Sequence, residues 1–377
     1  MILRLVFLTL AVTACGCAGN GTTPPPGGLL EPQGVGGDTL FLPRGFRVNI
    51  FAAVAGARYL ALGPGGAVYV SRQNAGSVVR LVDTDGDGVA DLNAPVLSGL
   101  RGPFGIAFRG DTMYVAEETV VKRIIPGVAA PDTVVFGLPA GGHSTRTVVF
   151  GPDGKMYVSV GSSCNVCPDT NPLRAAVFQY NPDGTGRRVF ATGLRNSVGL
   201  AFHPTTGELW ATNNDRDNIG GQNTAVTDDL PPERINIIKD RAWYGWPQCY
   251  LPGERNPEYP AGTDCSNVEP PAITFQAHSA PLGIRFYTGT AFPADFRGDA
   301  FMAYHGSWNR SVPTGAKVVR VHVENGRPVA MDDFVVGWQL SGGSRWGRPV
   351  DVLPAADGSL LISDDQGGRI WRVAYEP

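Results

Sequence analysis

One phrase recurs six times along the chain and limits the possible folds more than any other feature. It consists of a short apolar strand, a turn that contains Pro, Asp or Gly, and a second strand that often ends in Val-Ser or Ala-Thr. Four clear copies and then two looser ones begin at Tyr59, Phe104, Thr147, Val198, Leu282 and Val350. Apolar residues alternate with period two across each turn, which is typical of a β-hairpin with one buried face.

Many copies are followed by a third strand-like segment, beginning for example at Ser77, Ala176, Lys317 and Arg369. A hairpin with outer strands, repeated along a chain, is typical of propeller blades. The sequence therefore predicts an all-β fold, specifically a six-bladed β-propeller of four-stranded antiparallel sheets. Two packed β-sandwiches would also supply short strands and turns, but they do not explain why one phrase recurs.

Composition agrees with a turn-rich β protein and narrows the class of partner. The chain of 377 residues has 50 glycines and 31 prolines, so long helices would be interrupted almost everywhere. Its formal net charge is −3 and it contains no basic run, which excludes the electrostatic pattern expected of nucleic-acid binding. A small molecule is the expected partner. In a propeller it would bind at the central channel, where loops from every blade meet.

The first 37 residues differ in composition from the rest. Arg4, the apolar run Leu5 to Val12 and the small residues before Cys15 predict a signal peptide over residues 1–15, and therefore an exported, periplasmic or extracellular protein. The ending Val-Thr-Ala-Cys resembles a lipoprotein box, so lipidation at Cys15 and plain secretion are both open. Residues 16–37 read as a flexible linker, and residues 38–377 as the propeller domain. A lipid at Cys15 would be the only membrane attachment.

Four cysteines follow the leader, and in an oxidising compartment they are expected to pair. Local spacing favours a disulfide between Cys164 and Cys167 and another between Cys249 and Cys265. A redox or zinc pair is the rival interpretation of Cys-Asn-Val-Cys. A zinc site would need two further ligands at comparable spacing, and no such pair is evident.

His143 is the first candidate for chemistry. It lies in Gly-Gly-His-Ser-Thr-Arg, immediately before a blade's first strand, where glycines leave the imidazole accessible to act as a general base. A loop histidine taken alone is more often a surface residue. The other histidines have no comparably clear setting; they are His203, His278, His305 and His322.

Arg195 and Asn196 occupy the equivalent loop of the next blade. A guanidinium binds carboxylates bidentately and the amide offers both a donor and an acceptor, although these residues could instead cap neighbouring blades. Further polar side chains lie near strand ends in other blades, and spacing alone does not choose among them; they are Gln73, Lys317, Arg345 and Arg348.

An acidic loop, Asp-Thr-Asp-Gly-Asp-Gly-Val-Ala-Asp, resembles a calcium-binding loop. Its carboxylates belong to Asp83, Asp85, Asp87 and Asp91. Ala94 stands where an EF-hand has its bidentate glutamate, and no helix pair flanks the loop. The sequence leaves open a structural calcium site and a solvated acidic turn.

Several segments together resemble the glucose/sorbosone dehydrogenase family over about residues 42–373. The resemblance is carried by Ser-Arg-Gln-Asn-Ala-Gly-Ser-Val-Val-Arg, by Gly-His-Ser followed by Val-Val-Phe-Gly-Pro-Asp-Gly-Lys-Met-Tyr, by Gly-Leu-Arg-Asn-Ser-Val-Gly-Leu-Ala-Phe, and by Arg-Ile-Asn-Ile-Ile-Lys-Asp-Arg-Ala-Trp-Tyr-Gly-Trp-Pro. The C-terminal Gly-Arg-Pro-Val-Asp-Val-Leu is most similar to the L-sorbosone dehydrogenase branch. The family consists of soluble six-bladed propellers that bind pyrroloquinoline quinone (PQQ) with calcium.

The resemblance implies a role for each matching residue. It implies that His143 is the base, and that the cofactor-binding residues are Gln73, Arg195, Asn196 and Arg348, with either Lys317 or Arg310 from the fifth blade. It also implies that the backbone carbonyls of Asp215 and Arg216 bind the calcium ion of PQQ. Glucose-oxidising members carry a second arginine where this chain has Val350, which argues against glucose as the substrate.

The predicted function is therefore PQQ- and calcium-dependent oxidation of a sugar or sugar aldehyde, with an external electron acceptor. Two other functions would also use a propeller channel: non-catalytic carbohydrate binding, and calcium-dependent lactone hydrolysis. A histidine grouped with several cations suits an anionic cofactor better than either alternative.

Overall fold

The computed structural model describes residues 30–221 and 223–377. The predicted signal peptide, its lipidation site Cys15 and residues 16–29 of the predicted linker lie outside the described residues. The first strands are β1 (Leu30–Val35), β2 (Asp38–Pro43) and β3 (Phe46–Ala53). Strands of the first half follow as β4 (Leu60–Leu62), β5 (Val68–Arg72), β6 (Ser77–Val82), β7 (Leu92–Leu97), β8 (Ile106–Arg109), β9 (Thr112–Ala116), β10 (Val121–Ile124), β11 (Asp132–Val135), β12 (Val148–Phe150), β13 (Met156–Val160), β14 (Ala176–Tyr180) and β15 (Arg188–Thr192).

Strands of the second half are β16 (Leu200–Phe202), β17 (Leu209–Asn213), β18 (Glu233–Ile238), β19 (Cys249–Leu251), β20 (Glu254–Arg255), β21 (Ile273–Phe275), β22 (Pro281–Phe286), β23 (Ala300–Tyr304), β24 (Lys317–Glu324), β25 (Arg327–Val335), β26 (Pro349–Pro354), β27 (Leu360–Asp364) and β28 (Arg369–Tyr375). Between β17 and β18 lies the short helix α1 (Thr224–Asp229). Single 3₁₀ turns occur at Pro64–Gly66 and Ala294–Phe296. Among the described residues, no helix has the length and apolar character needed to cross a membrane.

Six four-stranded antiparallel sheets form the body of the molecule, which confirms the predicted propeller. Blades 1, 2, 3 and 5 each use four consecutive strands: β4 to β7, β8 to β11, β12 to β15 and β22 to β25. Blade 4 combines β16, β17, β18 and β21, because the hairpin β19–β20 is inserted before its last strand. The first strands of neighbouring blades contact one another around a closed ring and therefore line the channel.

Blade 6 closes the ring with both ends of the propeller. Its strands β26, β27 and β28 come from the end of the chain, while its outermost strand is β3. The pairing runs antiparallel from Arg369 opposite Ala53 to Tyr375 opposite Phe46. This long-range pairing closes the ring of blades. It therefore removes the sheet edge that an open array of blades would expose.

The predicted linker is shorter than the sequence indicated. Residues 30–35, assigned above to a flexible linker, form β1 and pair with β2 in a hairpin outside the six blades. The side chain of Gln33 fastens this hairpin to β3 by donating to the Phe46 carbonyl and accepting from the Val48 N–H at 3.0 Å. The polar, glycine-rich composition of residues 16–37 therefore did not predict β1, because this strand is ordered by tertiary hydrogen bonds.

The buried apolar residues lie between the blades. Six clusters each join neighbouring blades, as where Tyr114 and Ala116 of blade 2 pack with Val158 and Val160 of blade 3. Side chains alternate between the two faces of a strand, so each central strand contributes apolar side chains to the contacts with both neighbouring blades. The core is thus a ring of interblade layers, which holds the loops at each channel mouth in a constant relative position.

Candidate active site

Loops from different blades meet at one mouth of the channel for a topological reason. The first and second strands of every blade are antiparallel, so the loop before the first strand and the loop after the second strand share one edge. His143 precedes β12 and Arg348 precedes β26, whereas Asp217 follows β17 and His305 follows β23. Residues distant in sequence therefore converge on this edge.

A cavity of about 220 Å³ lies at this mouth. It is lined by His143, Arg195, Asn196, Asn214, Asp215, Asp217, Glu233, His278, Ala280, His305, Gly306, Trp308, Asn309 and Arg348. Five of the predicted site residues are thus brought together: His143, Arg195, Asn196, Asp215 and Arg348. Their chemical roles stay predictions.

Hydrogen bonds determine which nitrogen of His143 carries the proton. Its Nδ1 lies 2.9 Å from the Ser162 Oγ and 3.2 Å from the Ser162 carbonyl oxygen. The Ser162 hydroxyl uses its only hydrogen to donate to the Cys164 carbonyl at 2.7 Å, so its oxygen accepts from His143. Nδ1 is therefore protonated in the neutral ring. Nε2 keeps its lone pair and has no partner among the described residues.

Close packing around His143 depends on glycine. Gly142 has φ +61°, and a Cβ placed there would lie 2.6 Å from the Ser162 carbonyl oxygen. A Cβ on Gly161 would lie 2.5 Å from the Cβ of His143. The two loops of blade 3 can approach this closely only because neither position carries a side chain.

The electrostatic surroundings of His143 keep its ring neutral. Burial, followed by the charges of Arg195, Arg174 and Arg146, lowers the pKa of His143 from 6.5 to about 4, although the hydrogen bond with Ser162 opposes this change. The ring is therefore unprotonated at pH 7. It is suited to accept a proton rather than to donate one.

We expect an NMR titration of the His143 ring in the ligand-free protein to give a pKa of about 4. Because the unfolded chain takes up this proton near pH 6.5, His143 should disfavour the folded state progressively as the pH falls from there towards 4. A pKa near 6.5 for His143 would contradict the arrangement described.

Arg195 is fully engaged by protein acceptors. Its Nε donates to the Asn165 carbonyl at 3.1 Å, and its Nη1 donates to the Asn214 and Asp215 carbonyls at 3.2 and 2.8 Å. Its Nη2 donates to the Asn165 Oδ1 at 2.9 Å and to the Asp217 carboxylate at 3.2 Å. All five N–H donors therefore have partners. Arg195 can act on a ligand through its charge, or by exchanging the long contact with Asp217.

Arg348 is less completely engaged than Arg195. Its Nε donates to the His305 carbonyl at 2.8 Å and its Nη2 to the Gly306 carbonyl at 3.1 Å. Burial is the main cause that lowers the pKa of Arg348 and also that of Arg195. Arg348 thus has N–H groups to offer to an anion, and an anion would compensate the charges of half-buried Arg348 and buried Arg195.

Carboxylates and amides form another part of the cavity wall. Glu233, which is 3% exposed, accepts the Asp215 N–H at 2.8 Å and has no ion-pair partner among the described residues. Burial, and next the charge of Asp215, raises the pKa of Glu233 well above its usual value. Asn309 donates to Asp217 at 3.0 Å, while its buried Oδ1 has no hydrogen-bond partner. This wall has oxygen acceptors to offer to a hard cation.

A second histidine, His305, lines the cavity beside Arg348. His305 Nε2 contacts the Asp365 carboxylate at 3.0 Å, and Arg58 contacts the same carboxylate at 2.7 Å. Burial lowers the pKa of His305 to about 4, while hydrogen bonding by His305 and the charge of Arg58 outweigh burial and lower the pKa of Asp365 to about 2. Arg58 and Asp365 are therefore the ion pair, and neutral His305 donates to it.

Some predicted site residues do not line the cavity. Gln73 follows β5 on the same edge but lies outside the lining residues. Lys317 was predicted as a cofactor contact, but its Nζ pairs with Asp333 at 2.5 Å and it borders a different cavity. Arg310, the competing prediction, donates to the Asp228 and Ala277 carbonyls. Strand pairing thus provides the partner of Lys317, and loop packing provides the partners of Arg310. Residue spacing in the sequence predicts neither contact.

The predictions for Arg216 and for the cysteines have separate outcomes. The Arg216 side chain turns away to Glu258, at 2.6 Å, while its backbone lies between the lining residues Asp215 and Asp217. Both predicted disulfides are confirmed, with Cα–Cα distances of 6.2 Å for Cys164–Cys167 and 5.9 Å for Cys249–Cys265.

In the acidic loop, three of the four predicted carboxylates come together. Oxygens of Asp83, Asp85 and Asp91 lie within 4.8 Å of one another. The carboxylate of Asp87 lies outside this group and accepts the Val89 N–H at 2.8 Å, and its role as a calcium ligand stays a prediction. Structural calcium binding at the other three stays a prediction.

Sequence reasoning missed several lining residues. His278 was named without a role, and four further lining residues were not named: Asp217, Glu233, Trp308 and Asn309. The available signal was topological. Once β17 is recognised as a second strand, the residues after it belong to the same edge as His143.

Fold and site together define a class: six-bladed propellers with a charged small-molecule site at one channel mouth. The chain belongs to the TrAA12-like family, whose sequence model matches residues 42–259 and 254–376. Among curated relatives, an uncharacterized protein of Borreliella burgdorferi is 35% identical over 240 residues, covering 62% of this chain and 61% of the relative. A pyrroloquinoline quinone-dependent pyranose dehydrogenase of Coprinopsis cinerea is 27% identical over 302 residues, covering 64% of this chain and 41% of the relative.

Solved structures share the fold. The holo form of the pyranose dehydrogenase PQQ domain from Coprinopsis cinerea has a TM-score of 0.77 at 22% identity, covering 89% of this chain and 97% of that one. A PQQ-bound aldose sugar dehydrogenase from Streptomyces coelicolor has a TM-score of 0.60 at 22% identity, covering 88% and 99%. The predicted relationship to PQQ-dependent sugar dehydrogenases is confirmed. The matched regions span about 61% and 41% of the lengths of these two curated relatives.

Proposed function

We propose that this protein catalyses the PQQ- and calcium-dependent oxidation of a sugar or sugar aldehyde and passes the electrons to an external acceptor. The observation that carries the proposal is the pairing of a neutral histidine, whose Nε2 is free, with the buried Arg195 and the half-buried Arg348 around one cavity. The names of the relatives support the same class of reaction.

The donor set fits an anionic quinone with a bound cation. Arg348 has free N–H groups and Asn196 lines the cavity, so these residues would bind the cofactor's carboxylates, with Arg195 adding its charge. The carbonyls of Asp215 and Arg216 would hold calcium. The orphaned Asn309 Oδ1 and the Asp217 and Glu233 carboxylates give this wall further oxygen acceptors.

The chemistry divides between cofactor and protein. When bound, PQQ supplies the hydride acceptor. His143 takes the proton from a sugar hydroxyl or hydrated aldehyde at its Nε2, and its Nδ1–H contact with Ser162 keeps the ring in the required tautomer. The positive charge of Arg195 favours the oxyanion that develops on the substrate.

Export is part of the proposal. Two disulfides are typical of proteins that mature outside the reducing cytosol. Whether Cys15 carries a lipid can be read directly from the mass of the N-terminal peptide of the natural protein.

The deciding experiment adds PQQ and Ca²⁺ to purified cofactor-free protein. We expect a change in the quinone absorption spectrum and dye-coupled oxidation of one or more aldoses or sugar aldehydes in a panel. Sugar binding without oxidation would support a non-catalytic propeller instead. Hydrolysis of lactones with Ca²⁺ alone would support a hydrolase, and either result would contradict the proposed oxidation.

Arg348→Ala should raise the Kd for PQQ, measured by calorimetry with Ca²⁺ present, by about tenfold or more. The change removes a charge-assisted donor, which is worth roughly 1.5–3 kcal/mol. Arg372→Ala is the matched control, because Arg372 pairs with Asp357 on the outer side of blade 6. An unchanged Kd in Arg348→Ala would show that the anion binds elsewhere.

A further inference from the structure

The ring closed by the Cys164–Cys167 disulfide contacts both functional halves of the pocket. The loop containing it joins β13 to β14, at the same channel mouth as His143. Neither cysteine nor the intervening Asn165 is among the residues that line the cavity. The ring therefore lies directly behind the site.

Asn165 forms hydrogen bonds with the segment Asp215–Asp217, which contributes carboxylates to the cavity wall. Its Oδ1 accepts the Asp217 N–H at 2.8 Å, while its Nδ2 donates to the Asp217 carbonyl at 3.0 Å. This reciprocal pair of bonds mimics one step of a β-ladder, although the two residues belong to different blades. It sets the position of the backbone from Asp215 to Asp217.

Asn165 also holds the neighbouring cation. Its Oδ1 and its carbonyl accept from Nη2 and Nε of Arg195, at 2.9 and 3.1 Å. The same carbonyl accepts the indole N–H of Trp246 at 3.0 Å. One residue thus supplies two of the five hydrogen bonds that orient Arg195, whose side chain is 5% exposed.

The ring reaches the histidine through a second route. The Cys164 carbonyl accepts the Ser162 hydroxyl hydrogen, and this bond obliges the Ser162 oxygen to accept from His143 Nδ1. A four-residue ring restricts the φ and ψ angles that could otherwise move the Cys164 carbonyl and Asn165 apart.

We propose that the Cys164–Cys167 ring is the positioning device of this pocket and that Asn165 is its positioning residue, which orients Arg195 and the Asp215–Asp217 backbone without contacting the ligand. The proposal deepens the proposed function and rests on it for the identity of the ligand. The positioning itself is a property of the ligand-free protein.

Asn165→Ala should raise the Kd for PQQ, measured by calorimetry with Ca²⁺, by about tenfold, because hydrogen bonds to a charged group are lost. The kcat at saturating PQQ should also fall, since Arg195 favours the oxyanion, but by less than in His143→Ala because the Cys164 carbonyl and His143 are untouched. Val166→Ala, a truncation in the same ring without a polar contact to the site, should bind as the parent does.

A second measurement needs no cofactor. In the ligand-free parent, the Arg195 Nε–H should give a slowly exchanging NMR signal, which Arg195→Lys identifies by its loss. The double variant Cys164→Ser/Cys167→Ser should accelerate this exchange by tenfold or more, and Val166→Ala should not. Parental exchange in the ring-opened protein would overturn the positioning role. Failure of the parent to bind PQQ would overturn the proposed function alone, and the exchange rates would still decide the inference.

Discussion

His143→Ala should lower kcat for dye-coupled oxidation by about 10²- to 10⁴-fold, the usual contribution of a positioned general base. Assays at saturating PQQ and Ca²⁺ isolate the chemical step. The Kd for PQQ should change little. The free N–H donors that would bind the cofactor belong to Arg348, and Arg195 adds its positive charge. Calorimetry on the same preparations separates the two quantities.

His322→Ala is the matched control for that experiment. His322 lies on β24 and pairs with Asp332, away from the cavity, so its removal should leave kcat unchanged. A His143→Ala protein that turns over at the parent rate would show that another group is the base. Loss of PQQ binding in His143→Ala would instead assign the residue to the cofactor site.

Phe46→Ala should destabilise the protein by about 3–5 kcal/mol, measured by urea unfolding. Phe46 is 1% exposed and begins the strand that closes blade 6. Its ring lies 4.8 Å from that of Phe292, 5.0 Å from that of Phe334 and 5.1 Å from that of Tyr375. Truncation would therefore leave a cavity between blade 6 and blade 5 and weaken the closure.

Phe136→Ala provides the comparison for this stability measurement. The same side chain is removed, but Phe136 is 66% exposed in the loop after β11, so little buried contact is lost. Its effect should be within about 0.5 kcal/mol. Equal losses of stability in the two variants would mean that closure through β3 contributes little to the fold.

The repeated phrase was sufficient to predict the blades, because each hairpin is a local structure whose alternation and turn lie within about fifteen residues. Closure was not predicted. The strand Phe46–Ala53 lacks the phrase, and its partner Arg369–Tyr375 lies at the other end of the chain. The strand Leu30–Val35 was missed because its order depends on hydrogen bonds from Gln33 to β3.

The residues of the candidate site were likewise predictable from the sequence only in part. His143, Arg195 and Arg348 could be named because each stands immediately before a recognisable first strand. Lys317 looked equally suitable in sequence, yet strand pairing places Asp333 beside its ammonium group. Glu233 could not be found, since a glutamate at the start of an apolar strand gives no sign that it will be buried beside Asp215.

By itself the sequence determined the number of blades, the local disulfide pairs and the loops at which chemistry is possible, because these depend on alternation, short spacing and turn residues. Only the tertiary structure decided which charged groups face the cavity and which are neutralised elsewhere. It also decided the protonation of His143, which depends on Ser162, on the Cys164 carbonyl and on buried arginines brought from separate loops. The reason is physical: a pKa and a hydrogen-bond partner depend on distances between loops, and those distances exist only once the strands of a blade and its neighbours have packed.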